Sequence, residues 1–196
     1  MRIFFIITGF LLANISFAQG SYKDSMDAYV KKYVKEHEVA TGKDKDFISF
    51  FPVNEKYRMT CRFERTMNSP WFRMESSGAI RKNYRVYGII HFTINDTAAT
   101  LNIYQSQDLM TTKQYKDHLF IPFTDATSGE ETYESGRYID LEINDIANGK
   151  VLIDFNKAYN PYCAYVSGRY NCPIPPVENR LTVTVRAGEK AFAKPH

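Results

Sequence analysis

Several signatures of well-known enzyme classes and of nucleic-acid-binding proteins are missing from this sequence. It contains no glycine-rich phosphate loop, no HExxH or GxSxG motif and no CxxC pair. Its 25 Lys and Arg residues nearly balance its 22 Asp and Glu residues, so its charge predicts neither a nucleic acid nor an anionic membrane surface as partner. Its three cysteines and four histidines lack the close spacing of zinc ligands. The sequence therefore predicts no metal and no cofactor.

Long apolar runs are also scarce, and the clearest one lies at the N-terminus. Arg2 supplies a positive charge, an apolar stretch runs from Ile3 to Leu12, and Ser16-Phe17-Ala18 places small residues where a signal peptidase cleaves. Even when it is extended to Phe17 across Thr8, Gly9 and Asn14, this run of about fifteen residues is shorter than the roughly twenty that a membrane-spanning helix needs. We therefore expect a cleaved signal peptide over residues 1–18, a periplasmic or secreted protein, and no transmembrane anchor after processing.

Aromatic residues, by contrast, are abundant. Fourteen Tyr and fourteen Phe residues favour β-strands and a large aromatic core. No second apolar span, internal repeat or low-complexity tract divides the rest of the chain. Residues 19–196 are therefore predicted to form a single domain.

The hydrophobic pattern changes its period along this domain. Residues 24–38 have a helical pattern that gathers apolar side chains on one face, namely Met26, Tyr29, Val30, Tyr33 and Val34. After Lys43 the pattern alternates with period two, which predicts strands separated by polar turns. The predicted strands span residues 56–65, 71–74, 80–95, 100–105, 119–123, 137–143, 151–155 and 181–187. We predict a mainly β fold, a single-domain antiparallel barrel or sandwich with one N-terminal α-helix.

Unusual residue combinations are concentrated between residues 122 and 190. They form the runs PFTDATSGEETYESGRY at 122–138, DFNKAYNPYCAY at 154–165, CPIPPVENRL at 172–181 and VRAGEK at 185–190. In this order the runs resemble the bacterial and archaeal family named domain of unknown function 1684. The resemblance implies a shared fold and a shared motif region, and it implies no particular reaction.

Polar residues within these runs are candidates for a site. Asp154 and Asn156 end an apolar strand with both side chains on one side, and Arg137, Glu178 and Glu189 lie near other strand ends. If the loops converge, Arg137 would bridge two carboxylates. These groups would pin the loops, bind a ligand or catalyse a reaction. The candidate ligand-binding residues are Arg137, Tyr138, Asp154, Asn156, Tyr159, Asn160, Glu178 and Asn179.

The cysteines allow several interpretations. In an oxidising compartment, Cys163 and Cys172 would form a disulfide that closes a short loop. They are otherwise two unpaired structural thiols, or they take part in metal or redox chemistry. Cys61 lies on the inward face of its predicted strand and is expected to act as a small apolar residue.

Three functional hypotheses follow from these observations. The first is binding of an unknown small molecule in a cleft formed by residues 122–138 and 154–180, where tyrosines would supply aromatic walls. The second is a carboxylate-dependent hydrolase in the same cleft that uses acids such as Asp154 and Glu178. The third is a structural or assembly component of the cell envelope, with another envelope component as partner.

Overall fold

The structure is a computed structural model that describes the backbone of residues 10–194 and the side chains of residues 22–194. The signal peptide expected over residues 1–18 lies outside the described side chains, so cleavage after Ala18 and a domain boundary at residue 19 stay predictions. In the part of the chain that is described, no helix combines the length and the apolar character of a membrane span.

A single antiparallel sheet, curved into half a barrel, dominates the fold and follows one N-terminal helix. The helices are α1 (Phe10–Glu36) and the short α2 (Gln107–Met110). The strands are β1 (Arg58–Arg65), β2 (Phe72–Arg73), β3 (Asn83–Ile94), β4 (Thr97–Ser106), β5 (His118–Phe123), β6 (Arg137–Glu142), β7 (Ile146–Ala147) and β8 (Lys150–Asp154). Their order is β6-β5-β4-β3-β1-β8-β7, with β2 beside β3. The predicted mainly β fold with an N-terminal helix is confirmed.

The hairpin of β3 and β4 forms the centre of this sheet. Asn95 and Asp96 connect the two strands, and both have a positive φ, at 47° and 60°. A two-residue turn of this kind matches the right-handed twist of the strands it joins. The turn pairs Ile94 with Thr97 and thereby fixes the register along both strands.

Both faces of the sheet bury side chains. One face carries the main apolar core, in which residues such as Ile90, Leu101, Ile121 and Ile153 have no exposed surface. The other face carries an aromatic cluster made of Met74, Tyr84, Tyr104, Phe120 and Tyr138. Because side chains alternate along β5, Ile121 and Phe120 belong to different faces. The candidate site borders the aromatic cluster.

The strand predicted over residues 181–187 is wrong. This part of the chain belongs to an extended segment, residues 181–190, here called the C-terminal segment, which has no partner strand. Val185 and Ala187 are nonetheless completely buried, so their apolar side chains produced a strand-like pattern. Its backbone groups bind side chains and the backbone of neighbouring loops instead of a neighbouring strand.

Arg137, on β6, supplies three of the six side-chain hydrogen bonds described for this backbone, and Asp125, Asn95 and Asn160 supply one each. Its guanidinium donates to the carbonyl oxygens of Val185 (2.9 Å), Ala187 and Glu189 (3.2 Å). It also donates to a carboxylate oxygen of Asp125 at 2.7 Å, while the other oxygen of Asp125 accepts the backbone N–H of Val185 at 3.2 Å. Arg137 and Asp125 are an almost fully buried ion pair. Burial lowers the pKa of Arg137, and the Asp125 carboxylate opposes that change.

Removal of the Arg137 guanidinium should strongly destabilise the fold. We expect Arg137→Met to lower the free energy of unfolding by about 3–5 kcal/mol, because the Asp125 carboxylate would remain buried without its cation. Three carbonyl oxygens would also lose their donor. Urea denaturation at neutral pH measures the change.

A matched control lies in the C-terminal segment itself. Arg186 forms an ion pair with Glu131 at 2.8 Å, but the side chains are 57% and 38% exposed to solvent. We expect Arg186→Met to change the free energy of unfolding by less than about 1 kcal/mol. Equal losses in the two variants would contradict the role assigned to Arg137.

Candidate functional site

The most prominent concavity of the described residues is a tyrosine-lined cavity of about 690 Å³. It lies between the end of α1, the β6 edge of the sheet, and the loop that follows residue 160. Six tyrosines line this space, here called the tyrosine cavity: Tyr29, Tyr33, Tyr138, Tyr159, Tyr162 and Tyr170.

Helix and sheet each position two of these rings. Tyr29 and Tyr33 are four residues apart on α1 and therefore lie on the same face, with their ring centroids 6.4 Å apart. Tyr138 on β6 exchanges two backbone hydrogen bonds with Tyr159, at 2.9 and 3.0 Å. Their rings meet edge to face with a centroid separation of 5.9 Å. The ring centroids of Tyr159 and Tyr33 are 6.4 Å apart, so the walls from helix and sheet are in contact.

A disulfide holds the third wall. The structure joins Cys163 to Cys172, and Cys172 itself lines the tyrosine cavity. The closed loop contains Tyr170, which packs on Tyr162 with a centroid distance of 5.1 Å. The guanidinium of Arg169 lies 5.5 Å from the centre of the Tyr170 ring. The disulfide therefore limits the movement of a wall that would otherwise be a flexible loop.

Carboxylates on the cavity lining already bind tyrosine hydroxyls. Tyr162 donates to Glu38 at 3.1 Å, and Tyr159 donates to Asp140 at 2.9 Å. His118 binds the other oxygen of Asp140 at 3.2 Å. Burial is the largest cause of the raised pKa of both Tyr162 and Tyr159, and the neighbouring carboxylates raise it further. Both hydroxyls therefore stay protonated at neutral pH.

His37 borders the same cavity and has a buried donor without a partner. Its Nδ1 accepts the backbone N–H of Ala40 at 3.0 Å, so the neutral ring carries its proton on Nε2. Burial lowers the pKa of His37, which favours this neutral form. Nε2 has no hydrogen-bond partner among the described residues, which is unusual for a buried donor. The imidazole packs against the ring of Tyr165, with 4.3 Å between the ring centroids.

Glu189 lies beneath the cavity lining and connects its walls. Its carboxylate accepts the hydroxyls of Tyr33, at 3.0 Å, and Tyr165, together with the backbone N–H of Asn160 at 2.9 Å. The preceding Gly188 has a φ of +78°, and a Cβ there would lie 2.6 Å from the carbonyl oxygen of Ala158. Only glycine permits this close approach, which places Glu189 under Tyr33.

Of the residues predicted from the sequence, Tyr138 and Tyr159 line the tyrosine cavity. Asp154 lines an adjacent cavity of about 490 Å³ beside α1, which shares Tyr29, Asp140 and Tyr159 with the tyrosine cavity. Its carboxylate accepts the hydroxyl of Tyr22 at 2.9 Å. Asn156 is buried next to it. Its side-chain amide accepts the backbone N–H of Asn54 and donates to the carbonyl oxygen of Asn54, each at 3.0 Å. Asp154 and Asn156 therefore fasten the helix and a loop to the end of β8.

Three other predicted residues lie in the interior and are unavailable to a ligand, which corrects the expectation that they contact one. Arg137 binds the C-terminal segment, as described above, and Asn160 donates to the carbonyl of Lys190 at 2.7 Å. Asn179 connects two strands: it exchanges two hydrogen bonds with the backbone of Asn102 on β4, at 2.8 and 2.9 Å, and donates to Pro122 on β5 at 2.7 Å. All three are completely or almost completely buried.

The two acids named for a hydrolase, Asp154 and Glu178, lie apart. Glu178 is exposed and lines a small cavity of about 190 Å³ beside β4, whereas Asp154 lines the cavity beside α1. The two acids therefore do not converge on one space. Cys61 is the single free thiol of the described cysteines, and burial raises its pKa to about 12, so it stays protonated. The described residues hold no cluster of three metal-binding side chains.

The contribution of α1 to the cavity was not predicted from the sequence. Tyr29, Tyr33 and His37 recur every four residues, a spacing that places them on one helix face. That spacing identifies the shared face but not what the face contacts. Arg169 was missed because no pattern distinguishes it from other loop arginines.

The buried carboxylate of Glu189 should make stability depend on pH. Burial raises its pKa from 4.5 to about 7, against the opposing effect of its hydrogen bonds and of Arg137. The folded state therefore disfavours the ionised form, and the contribution of Glu189 to stability falls as pH rises from about 4.5 to about 7. We expect the difference in unfolding free energy between the wild type and Glu189→Gln to fall by up to about 3 kcal/mol across this range.

Chemical denaturation at several pH values measures this difference. The exposed Glu130, changed to Gln, serves as control and should give a curve parallel to that of the wild type. A Glu189→Gln curve that is also parallel to the wild-type curve would show that Glu189 does not change its ionisation in the folded protein.

A solved structure shares this architecture. The solution NMR structure of an uncharacterised protein from Haloarcula marismortui matches with a TM-score of 0.67 and 25% sequence identity, over 91% of this chain and 98% of that chain. Among proteins of curated function there is no match.

A family comparison agrees with the motifs. The family described as Protein of unknown function (DUF1684) matches residues 44–190. This range contains the four sequence runs that suggested the resemblance, and it excludes the wall that α1 contributes to the tyrosine cavity. The resemblance is confirmed: the chain belongs to the DUF1684 family of proteins of unknown function.

Proposed function

We propose that this domain binds a small, ring-shaped molecule in the tyrosine cavity. The observation that carries the proposal is the convergence of six tyrosines around a space of about 690 Å³. Ligand-binding cavities usually have volumes of about 300–1,000 Å³ and combine aromatic walls with a few polar groups. Tyrosine supplies a large contact area and a polar group at little cost in conformational entropy.

The walls are fastened before any ligand arrives, which supports the proposal. The hydrogen bonds of Tyr138 to Tyr159 fix the sheet wall, and Glu189 fixes Tyr33 from below. The disulfide restricts the loop that carries Tyr170. A preformed site loses less conformational entropy on binding, so a larger share of the contact energy contributes to affinity.

Binding is favoured over catalysis by the state of the polar groups. Of the three carboxylates on the cavity lining, Asp140 and Glu38 each accept a tyrosine hydroxyl, and Glu36 has Lys32 at 4.0 Å. Glu189 lies beneath the lining. Burial raises the pKa of the Tyr29 hydroxyl to about 12 and keeps it protonated. These groups are suited to orient a ligand.

We also propose that the domain acts outside the cytoplasm, in the periplasm or as a secreted protein. The disulfide between Cys163 and Cys172 supports this, because such bonds persist mainly in oxidising compartments. The N-terminal sequence pattern supports it independently.

Tyr170→Ala should remove most ligand binding while preserving the fold. Tyr170 is a half-buried wall residue that contacts Tyr162 and Arg169, so its loss opens the cavity without a hole in the core. A library of small sugars, aromatic carboxylates and aromatic amines, screened by saturation-transfer NMR, provides probes. We expect Tyr170→Ala to weaken any probe found by at least about tenfold, which corresponds to about 1.4 kcal/mol, and to abolish its increase in melting temperature.

Tyr115→Ala is the matched control, because Tyr115 is exposed and does not line the tyrosine cavity. We expect the Tyr115→Ala variant to bind each probe with the same affinity as the wild type. Equal losses in both variants, or unchanged binding in Tyr170→Ala, would place the ligand elsewhere.

A further inference from the structure

We infer that the ligand of the tyrosine cavity is a neutral carbohydrate of two or three sugar rings. This inference rests on the proposed function and specifies its ligand class. It is carried by three features of the cavity lining: mixed charge, hydrogen-bonding groups with unused capacity, and tyrosine rings beside them.

The charged groups of the lining include both signs in nearly equal number. Three carboxylates, from Glu36, Glu38 and Asp140, are accompanied by the cations of Lys82 and Arg169. A strongly anionic ligand would face the carboxylates, and a strongly cationic ligand would face the cations. A neutral molecule avoids both penalties and still finds hydrogen-bond donors and acceptors.

Hydrogen-bonding groups with unused capacity line this space on its helix side and on its loop side. On the loop side, the only described interaction of the exposed Arg169 guanidinium is with the ring of Tyr170. Glu36 has only a distant partner, Lys32 at 4.0 Å, and Glu38 uses one oxygen to bind Tyr162. A sugar hydroxyl donates one hydrogen bond and accepts others, so a polyol can use both kinds of group at once.

The tyrosine rings suit the remaining surface of a sugar. A pyranose ring has hydroxyls around its edge and apolar C–H groups on its faces, and these faces pack on aromatic rings. Tyr170 and Tyr162 form one such wall at the mouth of the cavity, where both are partly exposed. Tyr138 and Tyr159 form another on the sheet side.

The size of the cavity indicates more than one sugar ring. A volume of about 690 Å³ equals the space of about twenty water molecules in the liquid. That space exceeds what a single pyranose would fill, and a sparsely filled cavity would leave the tyrosine rings without contacts. Two or three linked rings would reach the walls from helix, sheet and loop together.

A titration with three probe classes tests the inference on the chain from residue 19 to residue 196. The probes are a panel of neutral α- and β-linked di- and trisaccharides of hexoses and N-acetylhexosamines, benzoate as an anionic ring, and phenyltrimethylammonium as a cationic ring. Tyrosine ring NMR resonances report binding in the cavity, and calorimetry gives affinities. We expect at least one neutral sugar to bind at least tenfold more tightly than either charged ring.

Two variants connect that binding to the groups named. Arg169→Gln removes an exposed guanidinium, keeps the fold and should weaken sugar binding by at least tenfold. Arg180→Gln, at an exposed position outside the tyrosine cavity, should leave it unchanged.

The outcomes separate the two proposals. Tighter binding of benzoate or phenyltrimethylammonium, with sugars inactive, would overturn the carbohydrate inference and leave ligand binding in the tyrosine cavity standing. Sugar binding that is equally strong in Arg169→Gln would overturn the assigned contacts. No response of the cavity tyrosines to any of the three classes would overturn both proposals.

Discussion

The buried contact between Arg137 and the C-terminal segment is the constraint on which the rest of this structure depends. A segment without a partner strand would normally be exposed, because its backbone groups need hydrogen bonds. Here the guanidinium of Arg137 binds three of its carbonyl oxygens, and Asp125 both balances the charge and binds a backbone N–H. Burial of the ion pair costs desolvation free energy. Its hydrogen bonds to the segment replace the backbone hydrogen bonds that a partner strand would form. Val185 and Ala187 can then join the apolar core.

The same segment connects the buried core to the tyrosine cavity through Glu189. Glu189 follows immediately, and the tight approach of Gly188 to the carbonyl of Ala158 directs its carboxylate towards Tyr33, Tyr165 and Asn160. The geometry of the tyrosine cavity is thus set from below by a buried polar network and from the side by a disulfide. A rigid aromatic cavity of this kind is suited to hold a ligand whose rings and hydroxyls need fixed partners.

Local patterns predicted much of the fold and little of the site. Period-two alternation identified the positions of most strands, because each strand buries alternate side chains. The alternation over 181–187 had a different cause, since a side chain from a distant strand binds that backbone. Three polar residues that were candidates for the site are buried and bind other parts of the chain, namely Arg137, Asn160 and Asn179. Tyr29 and His37 reach the cavity only because α1 packs beside β6 and the disulfide loop, and such long-range contact leaves no local pattern.

Native-state hydrogen exchange tests the central claim most directly, because it reports the opening free energy of individual amides. The decisive amides are that of Val185, which donates to the Asp125 carboxylate, and that of Glu189, which donates to the backbone carbonyl of Ala158. If its buried contacts hold the C-terminal segment as firmly as a strand, both amides will exchange with opening free energies close to that of Ile90 in the centre of the sheet. Exchange as fast as that of an exposed loop would contradict the account, because the segment would then open independently of the core.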